Sequence, residues 1–316
     1  MDTDLRAAAE TAVDECLGLT ADETVAVVTD DERLPIGEAL YEAARERSDA
    51  ATLLRYPPGS EHGEEPPAPV AAAMREADTF LAPTTYSITH TRARQRATEA
   101  GARGATLPGI TEDVLTAGLD ADYEQIAAGC ESIYEQVHGA EAVHVTAPAG
   151  TDIVVEPGDR PWHRDTGLVR SPGAFSNLPA GETFVSPETA EGTIVVDGTM
   201  RPHGLVEEPV RIEVEAGEVV AVDDDGVRES LEAAAETADD PGSVYNLAEL
   251  GIGANVGVSE LVGSVLLDEK AAGTVHLAIG DDASIGGDVA APIHTDGVVR
   301  DPTVRVDGEA ITLPAP

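Results

Sequence analysis

The chain has 316 residues, 42% of them hydrophobic, with 60 acidic against 19 basic residues and a formal net charge of −41. That size suffices for one large or two modest domains, and the charge excludes the basic footprint on which nucleic-acid binding depends. No run of about eighteen apolar residues marks a membrane helix, and the acidic opening MDTDLRAAAETAVDECL lacks the basic, apolar, small-residue order of a signal peptide, so a cytoplasmic protein without membrane contact is expected.

In chain order, LRAAAETAVDECLGL has apolar residues at helical spacing, and ETVAVVTDD (23–31) is a short apolar strand ending in acids. GEALYEAARER reads as a helix, ATLLRY as a strand, and 57–69 as a Pro/Gly/Glu-rich loop. PVAAAMREA, DTFLAPT and HTRARQRATEAGA follow as helix, strand and helix. This alternation predicts βαβ units and a parallel sheet. A boundary after DYEQIAAGCESIYEQVHGA gives an N-terminal α/β domain over 1–138 and a C-terminal domain over 139–316. In the latter, EAVHVTAPAGTDIVVEPG, GTIVVDGTM, PVRIEVEAGEVVAVDD and VVRDPTVRVDGEAITL alternate with period two between Gly or Asp turns. One helix, VRESLEAAAETA (227–238), interrupts them, so an α+β domain with antiparallel sheet is expected.

Cys16 and Cys130 form no CxxC and read as buried thiols. GxxxxGK[ST], GxSxG and HExxH are absent, and GIGANVG (251–257) does not have dinucleotide-loop spacing. A single lysine, Lys270, stands among arginines. Abundant acids, few aromatics and almost no lysine resemble an intracellular protein of an extreme halophile, in which salt screens self-repulsion. Against that background Lys270 is either a plain salt bridge to Asp268 or Glu269, or an ammonium placed in a site.

Acids and histidines recur in the second domain, in NLPAGETFVSPE (177–188), NLAELGIG (246–253), DEKAAGTVHLAIG (268–280) and IHTD (293–296). Side chains two apart on a strand share a face, so His294 and Asp296 converge if their stretch is extended. In TVHLAIG, Val275 and Leu277 face away from His276. Two imidazoles and a carboxylate suit Zn²⁺ or Fe²⁺, although a hydrogen-bonded core histidine or a polar turn explains each alone. Glu249 is read as standing just before a glycine turn, and Glu182 just after a Pro-Ala-Gly bend; either acid is costly to bury unless paired or metal-bound. His163 and His203 read as solvated loop residues.

These segments, in this order, resemble the metallopeptidase family of aminopeptidases T and S and the related 2,5-dihydroxypyridine dioxygenases. CLGLTADETVAVVTDD and APTTYSITHTRARQRATEAGARGATLPGIT (82–111) extend the likeness over nearly the whole chain. The resemblance implies Glu182, Glu249, His276, His294 and Asp296 as metal ligands, Glu249 and Lys270 as catalytic groups, and a homodimer. It implies a metal-dependent aminopeptidase-like hydrolase, with two zinc, cobalt or manganese ions activating a water against a peptide. One departure matters: the peptidases' tyrosine after the equivalent of His276 is missing from HLAIGDDASIGG, and Tyr245 is the tyrosine nearest a motif, a candidate for substrate contact. The alternatives are a ring-cleaving dioxygenase with one Fe²⁺ held by His276, His294 and Asp296, acting on a small molecule, or a metal-binding relative without activity.

Overall fold

The computed structural model describes residues 3–315; Met1 and Asp2 of the acidic opening, and Pro316, lie outside it. The chain divides into two compact units, Met1–Ala127 with Asp165–Ala180 and Ala128–Arg164 with Gly181–Pro316. Where the sequence reading sets one boundary at 138, the chain passes between the units three times.

The first unit is an α/β domain with a parallel sheet. Helix α1 (Thr3–Thr11) widens into a π turn over Ala12–Leu17, which Gly18 closes at φ 58°. Then β1 (Val25–Asp30), α2 (Leu34–Arg45), β2 (Ala51–Tyr56), α3 (Ala68–Glu76), β3 (Thr79–Thr84), α4 (Arg92–Glu99) and β4 (Arg103–Pro108) alternate. The strands lie in the order β2–β1–β3–β4, and the short β8 (Phe175–Asn177) pairs parallel to β4. β1 and β3 are buried end to end, as strands covered on both faces must be. Val28, Phe80 and Ala82 pack with Met74 of α3 and Ala97 of α4.

β4 and α5 (Glu112–Leu119) have no counterpart in the sequence reading. RGATLP carries a glycine, a proline and no β-branched aliphatic residue, so neither alternation nor an apolar run marks it. Pairing with β3 makes it a strand, and that pairing requires Gly104: a Cβ there would lie 2.1 Å from the Phe80 carbonyl oxygen. Helix α6 (Tyr123–Val137) then leads into the second unit.

The second unit holds two seven-stranded sheets. One is built from β5 (Val143–Thr146), β6 (Asp152–Glu156), β10 (Thr189–Val196), β13 (Val210–Glu215), β14 (Glu218–Val222), β18 (Thr303–Val306) and β19 (Glu309–Ala310), in the order β14–β13–β10–β6–β5–β18–β19. The other contains β7 (His163–Asp165), β9 (Glu182–Val185), β11 (Thr199–Met200), β12 (Gly204–Leu205), β15 (Leu247–Gly253), β16 (Val275–Gly280) and β17 (His294–Val299), in the order β12–β11–β17–β16–β15–β9–β7. Alternating burial along β6 and β13 matches their period-two pattern. The expected helix is α7 (Asp225–Thr237), capped by the Asp224 carboxylate accepting from the Val227 amide, and α8 is one turn, Val265–Asp268. The fold is thus the expected parallel α/β domain followed by a mixed antiparallel one. Cys16 and Cys130 are both buried, and among the described residues no helix is long and apolar enough to cross a membrane.

Candidate metal centre

Directly paired residues of an antiparallel ladder share a face. His276 pairs with Gly251 and Val298, Gly251 with Phe184, and Gly253 with Glu182. Ala278 pairs with Glu249 and with Asp296, and Gly280 with His294. Glu182, Glu249, His276, His294 and Asp296 therefore project from four neighbouring strands onto one face of the second sheet. Val275 and Leu277 face the opposite side, as the sequence pattern requires.

The expected glycine turn after Glu249 is absent: LAELGIG is one continuous, fully buried strand. Its ladder is interrupted between Leu247 and Glu249, where one extra residue on β15 shifts the register. Leu247 pairs with Ile279 and Glu249 with Ala278. Without the bulge, Glu249 would oppose Leu277 and point to the apolar side. Bulges commonly re-aim a side chain in this way. The glycines make room instead of turning the chain: a Cβ on Gly251 would lie 2.0 Å from His276 Nε2. Gly251→Ala is expected to displace the His276 ring and cost about 1–3 kcal/mol. Thermal unfolding checks this, and an unchanged Tm would show that the ring has room to yield.

The five side chains face one another closely. His276 Nε2 lies 3.2 Å from Glu182 Oε2 and 3.3 Å from Glu249 Oε1. His294 Nε2 lies 3.4 Å from both Glu249 Oε2 and Asp296 Oδ1. Glu249 thus stands between the imidazoles, one oxygen toward each. The ligand atoms gather into two groups, Glu182–Glu249–His276 and Glu249–His294–Asp296. His276, His294 and Asp296, expected together, do share this face, with Glu249 reaching in between the two imidazoles. His294 Nδ1 donates to the Asp281 carbonyl at 2.7 Å, which leaves Nε2 as the ring's free ligand atom.

Lys270 lies against both Glu182 and Glu269: its Nζ donates to Glu182 Oε1 and is 2.8 Å from Glu269 Oε1. Asp268 is engaged elsewhere, accepting from the Val262 and Gly263 amides and the Thr199 hydroxyl. All of these acids are buried. Burial pushes the Glu269 carboxyl up to about 8, against the pull of Lys270. Burial would also raise Glu249, but hydrogen bonds from His276 and His294 outweigh it and hold the group low. Asp296 is held low against the same penalty, by the charge and hydrogen bond of His294. His276 is desolvated, yet Glu182 and Glu249 keep it protonated well above the ordinary imidazole range. The cluster is strongly cation-demanding, and protonated imidazoles meet that demand where a metal ion can.

The donor set fits a divalent ion on two observations. Glu182 Oε2, turned toward the cluster, is buried without a hydrogen-bond partner. The imidazole–carboxylate distances exceed the roughly 2.7–2.9 Å of a good charged hydrogen bond. Metal–ligand bonds of about 2.1 Å set neighbouring ligand atoms roughly 3.0–3.4 Å apart, which is the spacing found.

Tyr245 ends the 3₁₀ turn Pro241–Tyr245 and, among the described residues, makes no hydrogen bond to the five. His203 pairs with Asp224 at 2.9 Å. His163 departs from the expected solvated loop: it lies in β7, stacks on Phe184 with ring centroids 5.2 Å apart, and buries an unpartnered Nε2. The sequence reading did not pick out Phe184 or the Asp281 carbonyl; Phe184, two residues after Glu182 on a strand, was the legible one.

The sequence model of the 2,5-dihydroxypyridine 5,6-dioxygenases matches residues 4–314. A curated 2,5-dihydroxypyridine 5,6-dioxygenase of Pseudomonas putida KT2440 is 26% identical over 187 residues, 55% of this chain. The chain spans about half the length of that relative, 53%. Among solved structures, the 2,5-dihydroxypyridine dioxygenase from the same strain superimposes with a TM-score of 0.77 at 20% identity, covering 98% of this chain and 95% of that one. Wild-type AmpT from Thermus thermophilus gives 0.68 at 20% identity, with 98% and 99% covered. At that identity both likenesses speak to fold. Fold and side-chain cluster together define a two-unit protein, parallel α/β followed by antiparallel α+β, with a candidate metal centre on its antiparallel sheet. The chain belongs to the 2,5-dihydroxypyridine 5,6-dioxygenase family.

That membership corrects the leading expectation. The aminopeptidase, hydrolase and metallopeptidase reading is overturned by a family match along almost the whole chain and by a curated relative of the same name. The missing tyrosine after His276 was the residue-level sign. The reason for expecting paired zinc, cobalt or manganese goes with the peptidase reading.

Proposed function

We propose that this protein is a mononuclear Fe²⁺ dioxygenase that opens a hydroxylated pyridine ring of the 2,5-dihydroxypyridine type. The family match over residues 4–314 carries the reading. The convergence of Glu249, His294 and Asp296 supports it, because those side chains offer one imidazole and two carboxylates. Such nitrogen and oxygen donors suit divalent iron, and two ionised carboxylates balance its charge. Glu249, His294 and Asp296 would hold the ion, which when bound supplies the electron chemistry that dioxygen requires.

The chain's own residues then do the following. The Asp281 carbonyl fixes the tautomer and ring plane of His294. His276 holds a proton at Nε2 between Glu182 and Glu249. Lys270 orients Glu182. Phe184, on the same face and half-buried, offers a flat apolar side against which an aromatic ring can lie. A homodimer belongs to the same proposal and rests on the family resemblance alone.

The test is oxygen consumption by protein reconstituted anaerobically with Fe²⁺ at high salt. Addition of 2,5-dihydroxypyridine should draw oxygen in proportion to the loss of the ring's ultraviolet absorbance. Folded, iron-loaded protein that takes up no oxygen with this ring or with related hydroxypyridines would sink the reading.

A further inference from the structure

We infer that the Lys270 ammonium serves as the second cation of the cluster, so that the site accepts one divalent ion where its ligand atoms alone could hold two. The inference rests on the metal reading proposed above and extends it to stoichiometry. Two three-residue donor groups share Glu249, and taken as bare donors they describe a pair of ions bridged by one carboxylate. The Glu182–Glu249–His276 group, however, already has a cation. Lys270 Nζ donates to Glu182 Oε1 and lies 2.8 Å from Glu269 Oε1, with the ammonium almost wholly buried. A divalent ion there would share the Glu182 carboxylate with a positive charge at contact distance in a dry place, where repulsion is strong. Lys270 meets Glu182, and Glu249 and Asp296 remain as the carboxylates of the other donor group, which one divalent ion serves.

The ammonium is held in position by the backbone around it. The Asp268 carboxylate fastens the turn before it, accepting from the Val262 and Gly263 amides at 2.9 and 2.8 Å. The Asn255 amide donates to the Lys270 carbonyl at 2.8 Å, and the Ala272 amide to the Asn255 carbonyl at 3.1 Å. Gly253 lets this segment press onto β15, since a Cβ there would lie 2.0 Å from the Ala271 carbonyl oxygen. The side-chain type fits as well. Lysine ends in a compact, ion-like point charge, whereas arginine ends in a broad planar fork. In a chain that otherwise carries arginine, lysine occurs at this position alone.

The experiment counts ions. Metal-free protein is dialysed to equilibrium against Co²⁺ at high salt and bound cobalt is measured by elemental analysis, with circular dichroism confirming the fold. Wild type is expected to bind one ion per chain. Lys270→Met is expected to bind two, the second lost again in Lys270→Met/Glu182→Gln. Lys270→Met leaves buried acids without their cation and can fail to fold, so Lys270→Met/Glu269→Gln is measured beside it, with two ions again expected. One ion in the folded lysine variants overturns the inference, as do two in the wild type. No ion in the wild type overturns the metal reading itself, and the inference falls with it.

Discussion

Changing His294 to alanine is expected to weaken Fe²⁺ binding by more than about 100-fold and to remove oxygen-dependent turnover with it. Loss of an outer-shell partner alone typically costs 10–100-fold, so loss of a ligand should exceed that. His294 is the imidazole of the Glu249–His294–Asp296 group, 3.4 Å from both acids, with its tautomer set by the Asp281 carbonyl. Its side chain remains 32% exposed, so its removal leaves no sealed cavity and the fold should survive. Competition against a chelator measures the affinity, and circular dichroism checks the fold. His203→Ala is the companion control, because that imidazole pairs with Asp224 away from the cluster. Unchanged iron affinity in His294→Ala would mean that this strand end is a polar edge and the ion, if bound, is held elsewhere.

Lowering the salt should unfold the protein. A net charge of −41 over 316 residues is a self-repulsion that only screening moderates. The screening length falls from about 30 Å at 0.01 M to about 3 Å at 1 M, so repulsion across the whole molecule shrinks to repulsion between neighbours. Tm is expected to rise by at least roughly 10 °C from dilute buffer to molar KCl, several kcal/mol for a chain of this size. Chloride is the salt to use, since sulfate strengthens apolar burial by a separate route. A Tm in dilute buffer within about 2 °C of its value in molar KCl would show that the acids are accommodated without screening. The same sensitivity governs the metal experiments, which belong at high salt.

Much of this arrangement was legible in local pattern. Alternating apolar segments gave the βαβ order of the first unit, and period two gave the strands of the second. Two-residue spacing put His294 and Asp296 on one face, and the apolar neighbours of His276 set it on the other side from themselves. The same reading failed where a partner strand makes the decision. RGATLP became β4 through pairing with β3, and AELGIG, read as ending in a turn, continued as a strand because its glycines clear space for His276 and Ala271. Residue types led first to a hydrolase with a dioxygenase as the alternative, and the family match overturned the hydrolase.

The sequence by itself determined which side chains are available and, strand by strand, which of them share a face, because period two is a property of the local backbone. Only the tertiary structure decided which faces meet. Lys270 found Glu182 across 88 residues, and Glu249 joined both imidazoles through a one-residue bulge that reverses the face its position would otherwise present. Register is set by hydrogen bonds between strands distant in the chain, and no local periodicity records it.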